Sequence, residues 1–296
     1  MAGIDLGEVM SRSYRLLADN PIILVPFLIM GLIGAVTGVL FSFATMNVFM
    51  EFAEGATNPN FIPAAIMQLT AAVMLISVAM GIINTILSAG AVAMMYEAMK
   101  KGRTTLNTLS EGVVRGLIAF VASVLLWVLF VVLCLVGAVF VVILMALSPL
   151  LGGLAAVVVV ISLIATLFIV LFMTAYIVPV SVRDKKGVGE ILTRSYEFAM
   201  QNKINTFAAF IIIIIIGLFV SLPFSLFGAS TYTSVKMGDT PGMMNVMKPS
   251  GIIVQGVGAL IQSLLVGSYS ATLFAVMYAS GQAHTKKKKT ARKKKR

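Results

Sequence analysis

Charged residues, cysteine and histidine are all scarce in this sequence. Of its 296 residues, 11% are charged and 59% are hydrophobic, whereas about 25% of the residues in a soluble domain are charged. A soluble globule cannot keep so much apolar surface from water, so the composition excludes that class of protein. The only cysteine is Cys134, which excludes an intrachain disulfide and a cysteine-based metal cluster.

Reactive side chains are missing where an active site inside a membrane needs them. The only histidine is His284, near the end of the chain. No Asp, Glu, Lys or Arg lies in the central part of any apolar run. Enzymes need positioned acids, bases or metal ligands, and ion pathways through membranes usually contain charged residues. We therefore expect a protein that is not an enzyme and that holds no cofactor and no metal ion.

Long apolar runs make up most of the chain. A helix needs roughly 20 apolar residues to cross about 30 Å of hydrocarbon. The runs that reach this length are Ile22–Thr45, Pro63–Tyr96, Gly116–Leu147, Leu150–Val180, Thr206–Ser230 and Ile252–Ala279. Ser148 and Pro149 supply the turn between the third and fourth runs. The fold class is therefore all-α: a polytopic transmembrane helical bundle with about six spans.

Basic residues gather on one side of the predicted membrane. All but two of the 22 Lys and Arg residues fall in segments that six spans place on the same side as both termini. The exceptions are Lys236 and Lys248. Because loops rich in Lys and Arg stay in the cytoplasm, we predict a multi-pass protein of the cell membrane with cytoplasmic N and C termini.

The chain matches itself after a shift of 182 residues. The shift brings the Arg-Ser-Tyr triplet that begins at Arg12 onto the triplet that begins at Arg194, and Tyr96 onto Tyr278. We predict a single transmembrane domain, 1–280, built from three units that each pair an amphipathic helix with a hairpin of two spans. The units are 5–100, 104–186 and 187–280, and the middle one is the most diverged, with its own leader at Leu106–Arg115. All three enter the membrane from the same side.

The helix that leads the first unit is amphipathic. Its apolar residues recur at helical spacing on one face, with Arg12 on the opposite face. The third unit repeats this design around Arg194. Such helices suit a membrane interface, which makes Arg12 and Arg194 candidate contacts for a lipid headgroup or another anion. The alternative is that both helices brace the ends of the spans.

The segment 281–296 is strongly basic and is predicted to be a disordered cytoplasmic tail. Its cationic residues are Lys286, Lys287, Lys288, Lys289, Arg292, Lys293, Lys294, Lys295 and Arg296. Placed directly after a span, they are expected to contact anionic lipid headgroups. Binding to RNA or a ribosome is the alternative, since basic segments release counterions from any polyanion.

A few neutral polar residues lie within the predicted spans. They are Gln68 and Asn84 in the second span and Gln255 and Gln262 in the sixth. They form a possible polar path for a neutral or amphipathic substrate. Hydrogen bonds between helices are the alternative use of such residues. The spacing of Gly34 and Gly38 permits close packing of helices, within the chain or between protomers.

Two short motifs suggest a family. The Arg-Ser-Tyr helix ends in Asn202, and it follows the span end Tyr176–Val180 and the basic link Arg183–Gly187. This combination resembles a group of prokaryotic six-span membrane proteins, and we expect an archaeal member. The group is similar to the membrane domain of some glycerophosphodiester phosphodiesterases. The resemblance implies a fold and a topology, and no catalytic residue, since the phosphodiesterase barrel of those proteins is absent here.

Together these patterns predict a non-catalytic multi-pass membrane protein that associates with lipids or serves as a membrane scaffold or adaptor. Its expected partners are anionic lipid headgroups, another membrane protein, or a ribosome or RNA through the tail. The alternative is a transporter or lipid-translocating protein for a neutral or amphipathic substrate. The sequence leaves the substrate and the oligomeric state open.

Overall fold

The computed structural model describes the backbone of residues 4–55, 61–232 and 249–294, and the side-chain surroundings of 4–40, 70–224, 254 and 256–282. The described backbone is helical and contains no strand. The helices are α1 (Leu6–Asp19), α2 (Leu24–Gly55), α3 (Phe61–Lys101), α4 (Asn107–Leu147), α5 (Pro149–Asp184), α6 (Val188–Gln201), α7 (Lys203–Tyr232), α8 (Pro249–Gln262) and α9 (Ser268–Lys294). A 3-10 turn, Pro21–Ile23, precedes α2, and a π-helical turn, Ser263–Gly267, joins α8 to α9.

Within the described residues, six segments are long and apolar enough to cross a membrane. They are Pro21–Leu40, Thr70–Lys101, Asn107–Leu147, Pro149–Asp184, Lys203–Phe224 and Gly256–Gln282. The predicted class, an all-α bundle with six candidate spans, is therefore confirmed. At 1.5 Å per residue α4 is about 62 Å long and α5 about 54 Å, which is well beyond the roughly 30 Å of hydrocarbon.

The short helices α1 and α6 begin and end at positions that differ by the same 182 residues. The Asp5 carboxylate caps α1 by accepting from the backbone N–H of Gly7 at 2.9 Å. At the other end, the Asn20 side chain donates to the Leu16 carbonyl, and Asn202 makes the corresponding bond to Phe198. The buried residues also correspond: Val9, Ser13 and Leu16 in α1, and Ile191, Ser195 and Phe198 in α6. The division of the whole chain into three units stays a prediction.

The second spans of the three predicted units, α3, α5 and α9, contact one another at the centre of the bundle. Each first span packs on the second span of its own unit: α2 on α3, α4 on α5, and α7 on α8, which forms the sixth candidate span together with α9. Each unit also packs on the second span of another unit through its N-terminal part. In this way α1 packs on α9, the start of α4 on α3, and α6 on α5. The contacts form a closed ring of three.

The predicted leader Leu106–Arg115 is not a separate helix. Helix α4 begins at Asn107 and continues without a break into the span. The first unit breaks at Asn20 and Pro21, whereas the segment after Leu106 contains no proline. Its glycines instead allow close packing: a Cβ at Gly112 would lie 2.4 Å from the Gly90 Cα of α3. The leader prediction for the middle unit was therefore wrong.

Buried side chains concentrate in the half of the bundle near the ends of α3, α5 and α9. The largest fully buried side chains there include Met94, Met95, Tyr176, Ile177 and Met277. Tyr176 stands edge-to-face with Phe198 of α6 at 4.8 Å, and Phe198 does the same with Tyr278 of α9 at 4.9 Å. These aromatic contacts fix α6 to the core. The other half of α4 and α5 presents mainly exposed apolar side chains.

Two further predictions are changed by the structure. Within the described residues of the chain, Gly34 and Gly38 are not close-contact positions, because a Cβ at either would meet no atom within 4 Å; a contact between protomers at these glycines stays a prediction. The close approach of α2 to α8 occurs at Gly31, where a Cβ would lie 3.0 Å from the Leu260 Cα. The basic segment after 281 continues α9 as helix to Lys294, where disorder was predicted. A helix that is already formed lengthens at little cost when the added residues are Lys, Arg and Ala.

Candidate functional site

Arg183 lies in the last turn of α5, between two tyrosines from the neighbouring central helices. Its guanidinium is 5.6 Å from the ring centre of Tyr96 on α3 and 5.8 Å from that of Tyr278 on α9. Both distances are within cation–π range. The Tyr96 hydroxyl donates to the Pro179 carbonyl at 3.2 Å, one turn earlier in α5. The Nη1 atom of Arg183 is buried and has no hydrogen-bond partner among the described residues.

The adjacent residue, Asp184, accepts hydrogen bonds from three directions. Arg194 of α6 donates to its Oδ2 at 2.5 Å, the Tyr278 hydroxyl to the same oxygen at 2.7 Å, and Gln282 to its Oδ1 at 3.4 Å. Its side chain is 7% exposed. The hydrogen bond to the carboxylate raises the pKa of the Arg194 guanidinium above its usual value. This carboxylate therefore ties α6 to the ends of α5 and α9, and Arg194 is occupied within the protein.

Arg183 opens into a cavity of about 720 Å³ at this end of the bundle. Besides Arg183, the cationic side chains in its lining are Arg12, Lys100, Lys101 and Lys185, and the carboxylates are Glu97 and Glu111. Five cations face two carboxylates, which leaves an excess of three positive charges. The volume falls within the range of small-molecule sites, about 300–1,000 Å³. We name this space the basic cavity.

One of the two carboxylates is already engaged. Glu97 pairs with Lys101, one turn later in α3, at 2.7 Å. It also accepts from the hydroxyl of Thr104 at 2.9 Å and from that of Thr108. These bonds join the end of α3 to the start of α4 and form one wall of the basic cavity. Arg12 is exposed and takes part in none of the ion pairs found among the described residues.

A second cavity, of about 320 Å³, lies further along the same central helices. Its walls come from α3, α5, α7 and α9 and are mainly apolar. Ser88, Thr174 and Ser270 are the hydroxyl-bearing residues of its lining, and the hydroxyls of Ser88 and Thr174 donate to Met30 Sδ and to the Val170 carbonyl. Ser88 and Ser270 are related by the shift of 182 residues. We name this space the apolar cavity.

The predicted contact residues separate into distinct groups. Arg12 lines the basic cavity, whereas Arg194 pairs with Asp184. Asn84 is half-buried on α3, with an unpartnered Oδ1, and Gln262 is exposed at the end of α8; neither lines the two cavities. The side chains of Gln68 and Gln255 and the cationic side chains of the tail, 286–296, lie outside the described residues. The proposed polar path therefore stays a prediction.

Sequence reasoning missed Arg183 as a site residue. It was grouped with the basic link after the fourth span, where its sequence neighbours are also charged. A signal was present: Tyr96 and Tyr278 match under the shift, and each ends a predicted central span. The sequence alone does not show that α5, the third central helix, places Arg183 between these two tyrosines.

The chemistry available at the basic cavity is anion binding. Guanidinium and ammonium groups donate hydrogen bonds and accept none. Within the part of the chain that the structure describes, no group of three or more His, Cys, Asp and Glu side chains is placed to hold a metal ion.

A family model described as a domain of unknown function (DUF7847) matches residues 4–280. No curated protein and no solved structure matches the chain.

Proposed function

We propose that the chain, which belongs to the DUF7847 family, is a non-catalytic multi-pass membrane protein that associates with anionic lipids at the basic end of its bundle. One observation carries the proposal. The basic cavity, with an excess of three positive charges, lies at the end of helices that are apolar along most of their length. Placed in a bilayer, that end meets the headgroup region, where anionic lipids attract basic residues.

The proposed location is the cell membrane, with both termini in the cytoplasm. The support is the concentration of Lys and Arg in segments on one side of the six spans. We also propose that the chain is related to an archaeal group of six-span membrane proteins and to the membrane domain of glycerophosphodiester phosphodiesterases. It agrees with a lipid-associated role and adds no residue to the site.

The experiment compares lipids retained by the protein with lipids supplied to it. The full chain is reconstituted in nanodiscs of phosphatidylcholine with a minority of phosphatidylglycerol, and native mass spectrometry then identifies the lipids that stay bound. We expect phosphatidylglycerol to be enriched over its share of the bilayer. Retained lipids in the same ratio as the bilayer would contradict the proposal.

A version that ends at Gly281 separates the tail from the bundle. Charge attraction by the tail acts over roughly 10 Å and weakens with salt. We expect the truncated chain to keep its enriched lipid and to lose only salt-sensitive binding to anionic vesicles. Both versions are also extracted gently from native membranes, where a stoichiometric protein, ribosomal or RNA partner that is lost with the tail would support the adaptor function in place of lipid binding by the bundle.

A transporter or lipid-translocating protein is the second candidate function, and the apolar cavity favours it. A mainly apolar space between α3, α5, α7 and α9, with Ser88, Thr174 and Ser270 in its lining, suits a neutral or amphipathic substrate. Joint replacement of Gln68, Asn84, Gln255 and Gln262 by apolar residues tests the polar path. Flux in liposomes that is abolished by this change supports the path, and unchanged flux removes it.

A further inference from the structure

We propose that Arg12 and Arg183 together bind one phosphoryl group in the basic cavity. The inference rests on the proposed function and names the residues and the ligand chemistry behind it. It is drawn from two independent observations: a donor of Arg183 with no acceptor, and a difference between the two helices α1 and α6.

Arg183 is held in place and still has a buried donor free. The rings of Tyr96 and Tyr278 lie at 5.6 and 5.8 Å from its guanidinium. Its Nη1 is buried with no hydrogen-bond partner among the described residues. A buried charged donor without an acceptor is costly. Nη1 itself has almost no accessible surface, so an anion in the basic cavity, which Arg183 lines, contacts the rest of the guanidinium and offsets the charge of the whole group.

The comparison of α6 with α1 shows that Arg12 lacks the carboxylate acceptor that Arg194 has. Arg194 of α6 finds its acceptor in Asp184, which lies at the end of α5, the helix on which α6 packs. Arg12 is its counterpart in α1, and α1 packs on α9. The end of α9 at this level, residues 279–282, reads Ala-Ser-Gly-Gln and contains no carboxylate. Arg12 therefore lines the basic cavity where Arg194 meets an internal anion.

The charge of the cavity favours phosphate over carboxylate. Five cations and two carboxylates line it, and Glu97 is already paired with Lys101. Glu111 is the second carboxylate of the lining. A single external carboxylate cancels one of the three excess charges, whereas a phosphate monoester carries about two negative charges and three acceptor oxygens. Those oxygens can accept from two guanidinium groups on separate helices, and arginine matches phosphate through paired N–H donors.

The test compares single variants with a matched control on the same helix. Arg12→Gln and Arg183→Gln each remove one proposed donor group. Arg15→Gln removes the same charge from an exposed position of α1 outside the cavity lining. Each protein is placed in nanodiscs of phosphatidylcholine with a minority of phosphatidic acid, and retained phosphatidic acid is measured by native mass spectrometry. A parallel arm titrates inorganic phosphate into the detergent-solubilised protein by calorimetry.

We expect each cavity variant to lower phosphate affinity about tenfold and Arg15→Gln to change it by less than about twofold. Arg183→Lys keeps the charge but not the planar donor pair, so we expect it to weaken binding as well. A loss seen only with phosphatidic acid identifies a lipid headgroup as the source, and a loss seen also with inorganic phosphate identifies a soluble phosphoryl ligand. Either supports the site.

The outcomes distinguish the phosphoryl site at Arg12 and Arg183 from the proposed association with anionic lipids. If the wild type retains anionic lipid and all variants retain it equally, the two-arginine site is overturned while lipid association stands. If the wild type shows no preference for anionic lipid and does not bind phosphate, both are overturned. If Arg183→Gln fails to fold, Arg12→Gln still decides, because Arg12 is exposed and takes part in none of the ion pairs among the described residues.

Discussion

At the scale of single residues, Asp184 holds more of the bundle together than any sequence pattern indicated. Its carboxylate accepts from Arg194, Tyr278 and Gln282, which belong to α6 and α9. We expect Asp184→Asn to lower the free energy of unfolding by about 1–3 kcal/mol, because hydrogen bonds to a charged group are lost from a nearly buried position. The fraction that stays monodisperse in size-exclusion chromatography after heating measures the effect.

The matched control for Asp184 is a carboxylate in an exposed ion pair. Glu190 lies 3.3 Å from Lys186, and both side chains are about half exposed, at 57% and 45%. Exposed pairs contribute roughly 0–1 kcal/mol, so Glu190→Gln should leave the melting profile almost unchanged. Equal losses in the two variants would show that Asp184 acts only through surface charge.

Local sequence signals predicted single residues well where they act on neighbouring backbone. Asp5 caps α1 and the Asn20 side chain bonds to its last turn, and both residue types are signals of helix ends that a sequence shows directly. Arg183 could not be identified in the same way. Its partners, Tyr96 and Tyr278, come from distant parts of the chain, and only packing of the three central helices brings them to one arginine.

At the scale of helices, the contact between α3 and α4 depends on an absent side chain. A Cβ at Gly112 would lie 2.4 Å from the backbone of Gly90, a separation that real structures do not tolerate. We expect Gly112→Ala to separate the two helices and to lower stability by about 1–3 kcal/mol. Melting in size-exclusion chromatography reports the change.

Gly153 of α5 is the control for this substitution. A Cβ there meets no atom within 4 Å, and alanine favours helix over glycine by about 1 kcal/mol. Gly153→Ala should therefore keep or slightly raise the melting temperature. A similar loss at both positions would mean that α3 and α4 do not depend on close contact at Gly112.

Helix type and number followed from apolar run length, and the six candidate spans agree with the predicted ones. Helix boundaries were less predictable. Proline at 21 is a helix-end signal in the sequence itself. A separate leader helix after Leu106 was predicted only by analogy with the first unit, and the structure has no break there. In fact, glycines at 112 and 116 let α4 continue as one helix against α3.

At the scale of the whole molecule, the proposed orientation is testable with the single native cysteine removed. In a Cys134→Ala background, Ser148→Cys marks the turn between α4 and α5, and Arg103→Cys marks the link between α3 and α4. We expect a membrane-impermeant maleimide to label Ser148→Cys in intact cells, because the uncharged turn lies on the side opposite the basic segments. Arg103→Cys should react only after permeabilisation. The reverse labelling pattern would place the termini outside.

The ring of three units has a consequence for the order in which the protein is made. Helix α1 leaves the ribosome well before α9, the helix on which it packs. Until α9 is made, the apolar face around Val9 and Leu16 lacks its main protein partner, since α3 contacts α1 less extensively, and the bilayer surface is the other apolar environment within reach. During co-translational insertion we therefore expect α1 to lie on the membrane surface until α9 is inserted. In a nascent chain stalled before α9, the contact between α1 and α9 would not form.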